Sequence, residues 1–295
     1  MGSATELDLS SAPVARKEFI SKIVEWAKLR EDIRGVLCIG SAARVTNPAD
    51  SLSDIDLILI TETPEFYIEG SDWLAHFGRV LLTFVEDTAV GGQKERRVLY
   101  EGGQDIDFAI FPLAAAHYLA EYGPPAELQE VFWRGFTVLL DKDGLLSQTE
   151  IHSQKVTPPP TQDELDLHMN DFLYHAVWAA KKLRRGEIWV GKQCVDVYMK
   201  RLLLRAVEWK LRALRGWEYD TWFEGRFLEN WATVDVILEL KKTFALYDLE
   251  SVKAALLATV LMHRRLMTEI AERLGLSSRG SRYSKIIELV GCYTA

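Results

Sequence analysis

The chain has 295 residues, 48% hydrophobic and 26% charged, with a net charge of −8. This mixture excludes a mainly disordered chain, and the length allows one large domain or two of ordinary size. The acidic balance excludes a general nucleic-acid binder, and no apolar run approaches the roughly 18 residues of a membrane helix.

Three cysteines, Cys38, Cys194 and Cys292, are far apart and form no CxxC pair. They suggest neither a disulfide framework nor a zinc site. From Met1 to Ala12 there is no basic stretch followed by an apolar one, and Glu6 stands where a myristoylation signal needs Ser or Thr. A soluble cytoplasmic protein is expected, as a monomer or homodimer. Charge is uneven along it. Up to Lys155 there are 25 acidic and 14 basic residues, and beyond it 18 and 21. The acidic half suits metal ions or a cationic ligand, and the mildly basic half suits phosphates.

Pro13 opens a helical stretch in which Ile20, Ile23, Val24 and Ala27 share one face. Gly35–Ile39 reads as a short buried strand closed by Gly40, followed by a polar loop from Ser41 to Ser53. Ile55–Ile60 is a second buried strand. Pro64–Phe77 is expected to be helical and Val80–Val85 a third strand. Arg97–Tyr100 and Asp105–Phe111 flank Glu101-Gly102-Gly103-Gln104, the pattern of a hairpin. A helix from Leu113 and a strand near Phe136–Leu140 follow.

The tract Thr157-Pro158-Pro159-Pro160 continues neither a helix nor a central strand and reads as a linker. Thr161 to Glu164 then has the form of a capping box. Beyond it the period is helical, with long helices expected over Lys192–Arg215 and Leu249–Leu274. The expected fold is an α/β (α+β) N-terminal domain with a mixed sheet, residues 1–157, followed by an all-α helical bundle, residues 158–295.

The chemistry concentrates at Gly40-Ser41-Ala42-Ala43-Arg44 and Ser53-Asp54-Ile55-Asp56. Residues two apart on a strand face the same side, so Asp54 and Asp56 present two carboxylates together. Such a pair repels unless a cation sits between, and a divalent metal is the usual answer. Asp105 and Asp107 also share a face. If their strand lies beside Ile55–Ile60, Asp107 completes a three-carboxylate cluster able to hold one or two Mg²⁺ ions and position a nucleoside triphosphate. Gly40 lets a phosphate approach closely. Ser41, Ser53 and Arg44 are candidate phosphate partners. A metal-dependent glycosyltransferase also uses Asp-x-Asp, but does not need Gly-Ser thirteen residues earlier.

These motifs resemble the signature of the nucleotidyltransferase superfamily related to DNA polymerase β. Within it the chain is similar to the aminoglycoside 6-adenylyltransferases (streptomycin adenylyltransferases). The closer likeness rests on Ser71-Asp72-Trp73-Leu74 with Phe77-Gly78, on Leu99 through Asp107 to Pro112, and on Arg185-Gly186-Glu187-Ile188 through Leu203-Leu204-Arg205 to Trp209. It runs from about Lys17 to about Gly275. Two departures stand out. The family often has Gly-Ser-Arg, whereas here Arg44 comes two residues later, and the stretch Trp217–Trp231 is unusually aromatic. The resemblance implies transfer of AMP from Mg-ATP to an aminoglycoside hydroxyl, with release of pyrophosphate. Asp54, Asp56 and Asp107 would hold the metal, or Asp107 would accept the proton of the attacking hydroxyl.

In the helical half, His168, Asp171 and His175 are spaced for one helix face. Zinc is conceivable there, but a polar strip is the preferred reading, with Asp171 available to a cationic acceptor. Lys192 is the candidate triphosphate contact, Lys200 is expected on a solvated face, and Arg205 is an internal charge. Trp178, Trp189 and Trp222 are candidates for core or pocket alike. Glu101 is an alternative base at the hairpin, and Cys38 a small buried hydrophobe. Competing readings keep the chemistry but change the acceptor to a lincosamide, another small alcohol or a protein hydroxyl. A last one gives a nucleotide-binding regulator without catalysis.

Overall fold

A computed structural model describes residues 14–44, 48–149 and 157–294. The chain divides into two compact units, Met1–Lys155 and Val156–Ala295.

The first unit is built on a mixed sheet of six strands. Helix α1 (Val14–Leu29) leads into β1 (Ile33–Ile39), and β2 (Ile55–Thr61) follows. Next come α2 (Pro64–Glu69), β3 (Val80–Asp87), β4 (Lys94–Tyr100), β5 (Asp105–Pro112), α3 (Leu113–Tyr122), α4 (Gln129–Arg134) and β6 (Thr137–Asp141). The order across the sheet is β3-β4-β5-β2-β1-β6. Only β2 and β5 run parallel, and the other neighbours are antiparallel.

Strand alternation divides the apolar side chains between two cores. On one face Ile20, Ile23 and Ala27 of α1 pack on Val36, Cys38, Ile55, Leu57, Ile106 and Phe108. On the other, Leu37, Ile58, Ile60, Ala109 and Phe111 meet Ala116 and Leu119 of α3 and Phe132 of α4. Burial on both faces explains why β2 and β5 read as nearly continuous apolar runs.

Pro64–Phe77 is not one helix. α2 stops at Gly70, whose backbone is extended, and a separate single turn covers Asp72–His76. Arg96 of β4 is buried and donates to the carbonyls of Tyr67 and Ile68 at the end of α2. The expected hairpin forms: the Tyr100 N–H donates to the Gln104 carbonyl at 2.8 Å, and Gly102 and Gly103 take positive φ.

The second unit is helical. α5 (Gln162–Arg184) opens with the reciprocal Thr161–Glu164 capping box. α6 (Ile188–Gln193) and α7 (Met199–Arg215) run on through a π-helical turn, Cys194–Tyr198, so the helix expected over Lys192–Arg215 forms without a break and carries a π-bulge near its start. α8 (Leu228–Trp231) and α9 (Val234–Leu240) are short. α10 spans Leu249–Leu274, with the Asp248 carboxylate accepting from the Ser251 N–H and Gly275 ending it in the left-handed conformation. α11 (Gly280–Thr294) completes the chain. One core joins α5, α7, α10 and α11 through Phe172, Leu203, Leu211, Leu256, Leu266 and Tyr283. No helix among the described residues is long and apolar enough to cross a membrane.

Candidate active site

β1 ends where β2 begins, since Ile39 pairs with Asp56 across the antiparallel ladder. Between them the chain makes a tight turn, Gly40–Ala42. Gly40 has φ +68°, and a Cβ there would lie 2.1 Å from Asp56 Oδ2. Glycine is required twice over: for the backbone conformation and for the space beside the carboxylate. The Ala49 N–H donates to the Ser41 carbonyl at 2.9 Å and closes the loop.

Asp56 of β2 lies directly opposite Asp107 of β5 in the parallel pairing. Asp54 stands two residues earlier. Because Ile55 and Leu57 point into the core beneath α1, the aspartates that alternate with them face the other side. Carboxylate oxygens of Asp54, Asp56 and Asp107 lie within 4.8 Å of one another. Among the described residues this is the one group of acids, histidines or cysteines with such a spacing. An all-oxygen, anionic donor set fits a hard divalent cation rather than zinc or copper.

Electrostatics agree. Burial pushes the Asp107 carboxyl up to about 6, with the Arg97 guanidinium opposing and Glu95, Asp54 and Asp105 adding to the rise. Arg97 Nη1 stands 3.4 Å from Asp107 Oδ2. It supplies part of the missing positive charge, but Glu95 at 3.0 Å and Glu86 share it. The Ser41 hydroxyl is buried and has no hydrogen-bond partner. Buried hydroxyls are normally hydrogen-bonded, so this one is an exception.

The other candidates fall in different surroundings. The Ser53 hydroxyl donates to Asp50 at 3.0 Å and accepts from the Asp50 N–H. Arg44 is half-buried after the turn, where the chain lies against Gly135: a Cβ on that glycine would stand 3.0 Å from Arg44 Cα. Glu101 is exposed at the hairpin and stands 3.7 Å from Arg79.

Lys192 lies in the second unit, paired with Asp196 and donating to the Ala245 carbonyl. Asp171 accepts from the Tyr198 hydroxyl at 2.9 Å and meets His175 Nδ1 at 2.8 Å. His168 departs from the expected strip: it is buried, and its Nε2 lies 3.2 Å from His263 Nε2. Two of the charges expected on α7 exchange roles. Lys200 is largely covered, donating to the Val195 carbonyl and Thr259 hydroxyl, and desolvation lowers its pKa to about 8. Arg205 is exposed. Trp189 is largely exposed, while Trp178 and Trp222 pack against the helical core. Cys38 is buried as expected, its thiol pushed up to about 12 by burial.

Glu95 and Arg97 are the site-facing residues that sequence reasoning missed. The start of β4 at Lys94 puts both on the Asp107 face, with Arg97 opposite Asp107 in the ladder. The usable signal was period two: in Glu95-Arg96-Arg97-Val98, Glu95 and Arg97 share a face and Arg96 and Val98 the other.

Comparison with known proteins gives a consistent picture. Residues 15–290 match the profile of the family described as streptomycin adenylyltransferase. An aminoglycoside 6-adenylyltransferase of Bacillus subtilis is 23% identical over 275 residues, covering 88% of this chain and 91% of that protein. One from Campylobacter jejuni is 23% identical over 268 residues, covering 87% and 88%. A crystal structure of an aminoglycoside 6-adenyltransferase from Bacillus subtilis aligns over 94% of this chain and 97% of its own, at 19% identity and a TM-score of 0.46.

Proposed function

The chain belongs to the streptomycin adenylyltransferase family, and we propose that it moves AMP from Mg-ATP to a hydroxyl of an aminoglycoside such as streptomycin, releasing pyrophosphate. It is an enzyme of the nucleotidyltransferase kind. The observation that carries the reading is the Asp54–Asp56–Asp107 cluster at the mouth of the Gly40–Ser41 turn. Curated relatives named for aminoglycoside 6-adenylylation support the acceptor class.

In this reading Asp54, Asp56 and Asp107 would hold Mg²⁺, which when bound offsets the negative charge of the triphosphate and of the leaving pyrophosphate. Gly40 leaves the space beside Asp56, and the Ser41 hydroxyl donates to a phosphate oxygen. Ser53 and Arg44 flank the same turn and complete the phosphate contacts. Holding the α-phosphorus in line with the attacking hydroxyl is the larger part of the task. With Asp107 engaged in the cluster, the hydroxyl proton needs another acceptor. Glu95, a carboxylate on this face held 3.0 Å from Arg97, is our choice, and the exposed Glu101 is the weaker one.

In the helical unit Asp171, held by Tyr198 and His175, is assigned to a cationic group of the acceptor. Lys192 contributes to phosphate binding only by exchanging Asp196 for the triphosphate. The N-terminal unit thus does the nucleotidyl chemistry and the helical unit serves the acceptor. The cytoplasm, where ATP is held, is the proposed place of work.

The test is pyrophosphate release from purified protein with MgATP and streptomycin, against a control without acceptor. Acceptor-dependent release is expected. Release with a lincosamide or another alcohol but not with streptomycin would change the acceptor. MgATP binding without release for any acceptor would leave a nucleotide-binding regulator. Asp56→Ala is expected to stay folded and to lose on the order of a thousandfold in turnover, about 4 kcal/mol of transition-state stabilisation. Normal turnover in that variant would remove the metal role.

A further inference from the structure

Arg16 occupies an unusual place. It lies in the first turn of α1, four residues before Ile20 on the stripe that also buries Ile23 and Ala27. The helical period calls for an apolar residue there. The arginine is nevertheless 2% exposed. One edge of its guanidinium is used: Nη2 donates to the carbonyl of Ser53, the residue before Asp54. Nε and Nη1 are buried and have no hydrogen-bond partner. No carboxylate among the described residues makes an ion pair with it. Its charge is felt at longer range: it adds to the lowering of the Asp50 carboxyl, which hydrogen bonds from Leu52 and Ser53 dominate, and it opposes the burial that raises the Cys38 thiol.

A buried guanidinium without a counter-charge is destabilising. Such a group persists where something else compensates it. The place is informative, because Ser53 and Cys38 belong to the two chain ends that the Gly40–Ser41 turn joins. The same turn holds a second buried and unpartnered polar group, the Ser41 hydroxyl. Two orphaned polar groups, a cation and a hydroxyl, thus frame one end of the β1–β2 pair. An anion with several acceptor oxygens is the ligand whose chemistry suits both groups.

We infer that Arg16 is a further nucleotide-site residue, a buried positive charge beneath the turn that braces the Ser53 backbone and is compensated when the triphosphate binds. The inference rests on the nucleotide reading proposed above. It assigns Arg16 two separable parts. The hydrogen bond to Ser53 positions the entry to Asp54, and the charge raises affinity for the polyanion.

Arg16→Gln removes the charge together with the reach of the guanidinium to Ser53, while Arg16→Lys keeps the charge, so affinity that Lys retains and Gln loses is the part owed to charge. The readout is thermal unfolding of the full chain titrated with MgATP, which needs no turnover. Wild type is expected to be stabilised by MgATP. Arg16→Gln is expected to keep or exceed the melting temperature of the unliganded wild type, having lost an uncompensated buried charge, and to bind MgATP at least tenfold more weakly. Arg16→Lys is expected to fall between.

Wild-type affinity in Arg16→Gln would reduce Arg16 to a brace and overturn the inference. So would failure of Arg16→Gln to fold, or an Arg16→Lys chain that binds no better than Arg16→Gln. A folded wild type that MgATP does not stabilise would overturn the nucleotide reading itself.

Discussion

Gly40 and Asp107 show how single residues set the site. At Gly40, φ is +68° and the space for a Cβ is taken by Asp56 Oδ2. Gly40→Ala should therefore cost about 1–3 kcal/mol of stability and displace a proposed metal ligand. The expected outcome is a lowered melting temperature together with a larger fall in turnover than that loss explains. Asp107 allows a sharper test. Its folded pKa, about 6, lies above the ordinary 3.8 because burial disfavours the anion. The stability this group contributes is thus present below about pH 4 and lost as pH rises through about 6. Asp107→Asn removes that loss. In EDTA it should match wild type near pH 3 and be the more stable by up to about 3 kcal/mol at pH 7.5, while turnover is abolished. Melting curves of both chains across that range check the sign.

At the scale of elements, the helical unit is locked by polar groups buried among its helices. The Tyr283 hydroxyl of α11 donates to His263 Nδ1 of α10 at 2.6 Å. That leaves His263 Nε2 to donate to His168 Nε2 of α5, 3.2 Å away. Phe172 stacks on the His263 ring at 3.6 Å. Burial pushes His168 down to about 4 and holds His263 well below its ordinary value. Both are depressed, so their contribution to stability is present above about pH 6.5 and is lost as pH falls toward 4. Tyr283→Phe removes one bond and leaves a buried ring nitrogen unpaired, a cost of about 1–2 kcal/mol. Hydrogen exchange along α11 should speed up accordingly. Unchanged protection in α11 would mean that apolar packing alone holds it.

For the whole molecule, charge distribution is the relevant property. The acidic excess lies before Lys155 and the basic excess after it. An acidic half attracts a polycation at long range, and that attraction is screened within about 10 Å at 0.1 M salt. If the acceptor is an aminoglycoside, its KM should rise several-fold between about 20 and 300 mM salt, with kcat changing little. A KM independent of salt would point to an uncharged acceptor.

The sequence by itself determined the elements whose signals are local. The capping box at Thr161–Glu164, the ends of α10 and the Gly102–Gly103 hairpin turn all depend on neighbours within a few residues. The apolar runs of β2 and β5 were legible because both faces are buried, and Asp54 and Asp56 stood out because alternation puts them on one face. Tertiary structure decided what depends on pairing across distance. Nothing local in Glu95 or Arg97 says that β4 lies beside β5 in the register that brings Arg97 to Asp107. Periodicity could not separate Lys200, half-buried and bonded to Thr259, from Arg205, which is exposed, because both sit on one amphipathic helix and only its neighbours distinguish them. The same holds for Arg16: its place on an apolar stripe is visible in the sequence, but that two of its guanidinium nitrogens are buried without a hydrogen-bond partner emerges only once strands and helix are packed together.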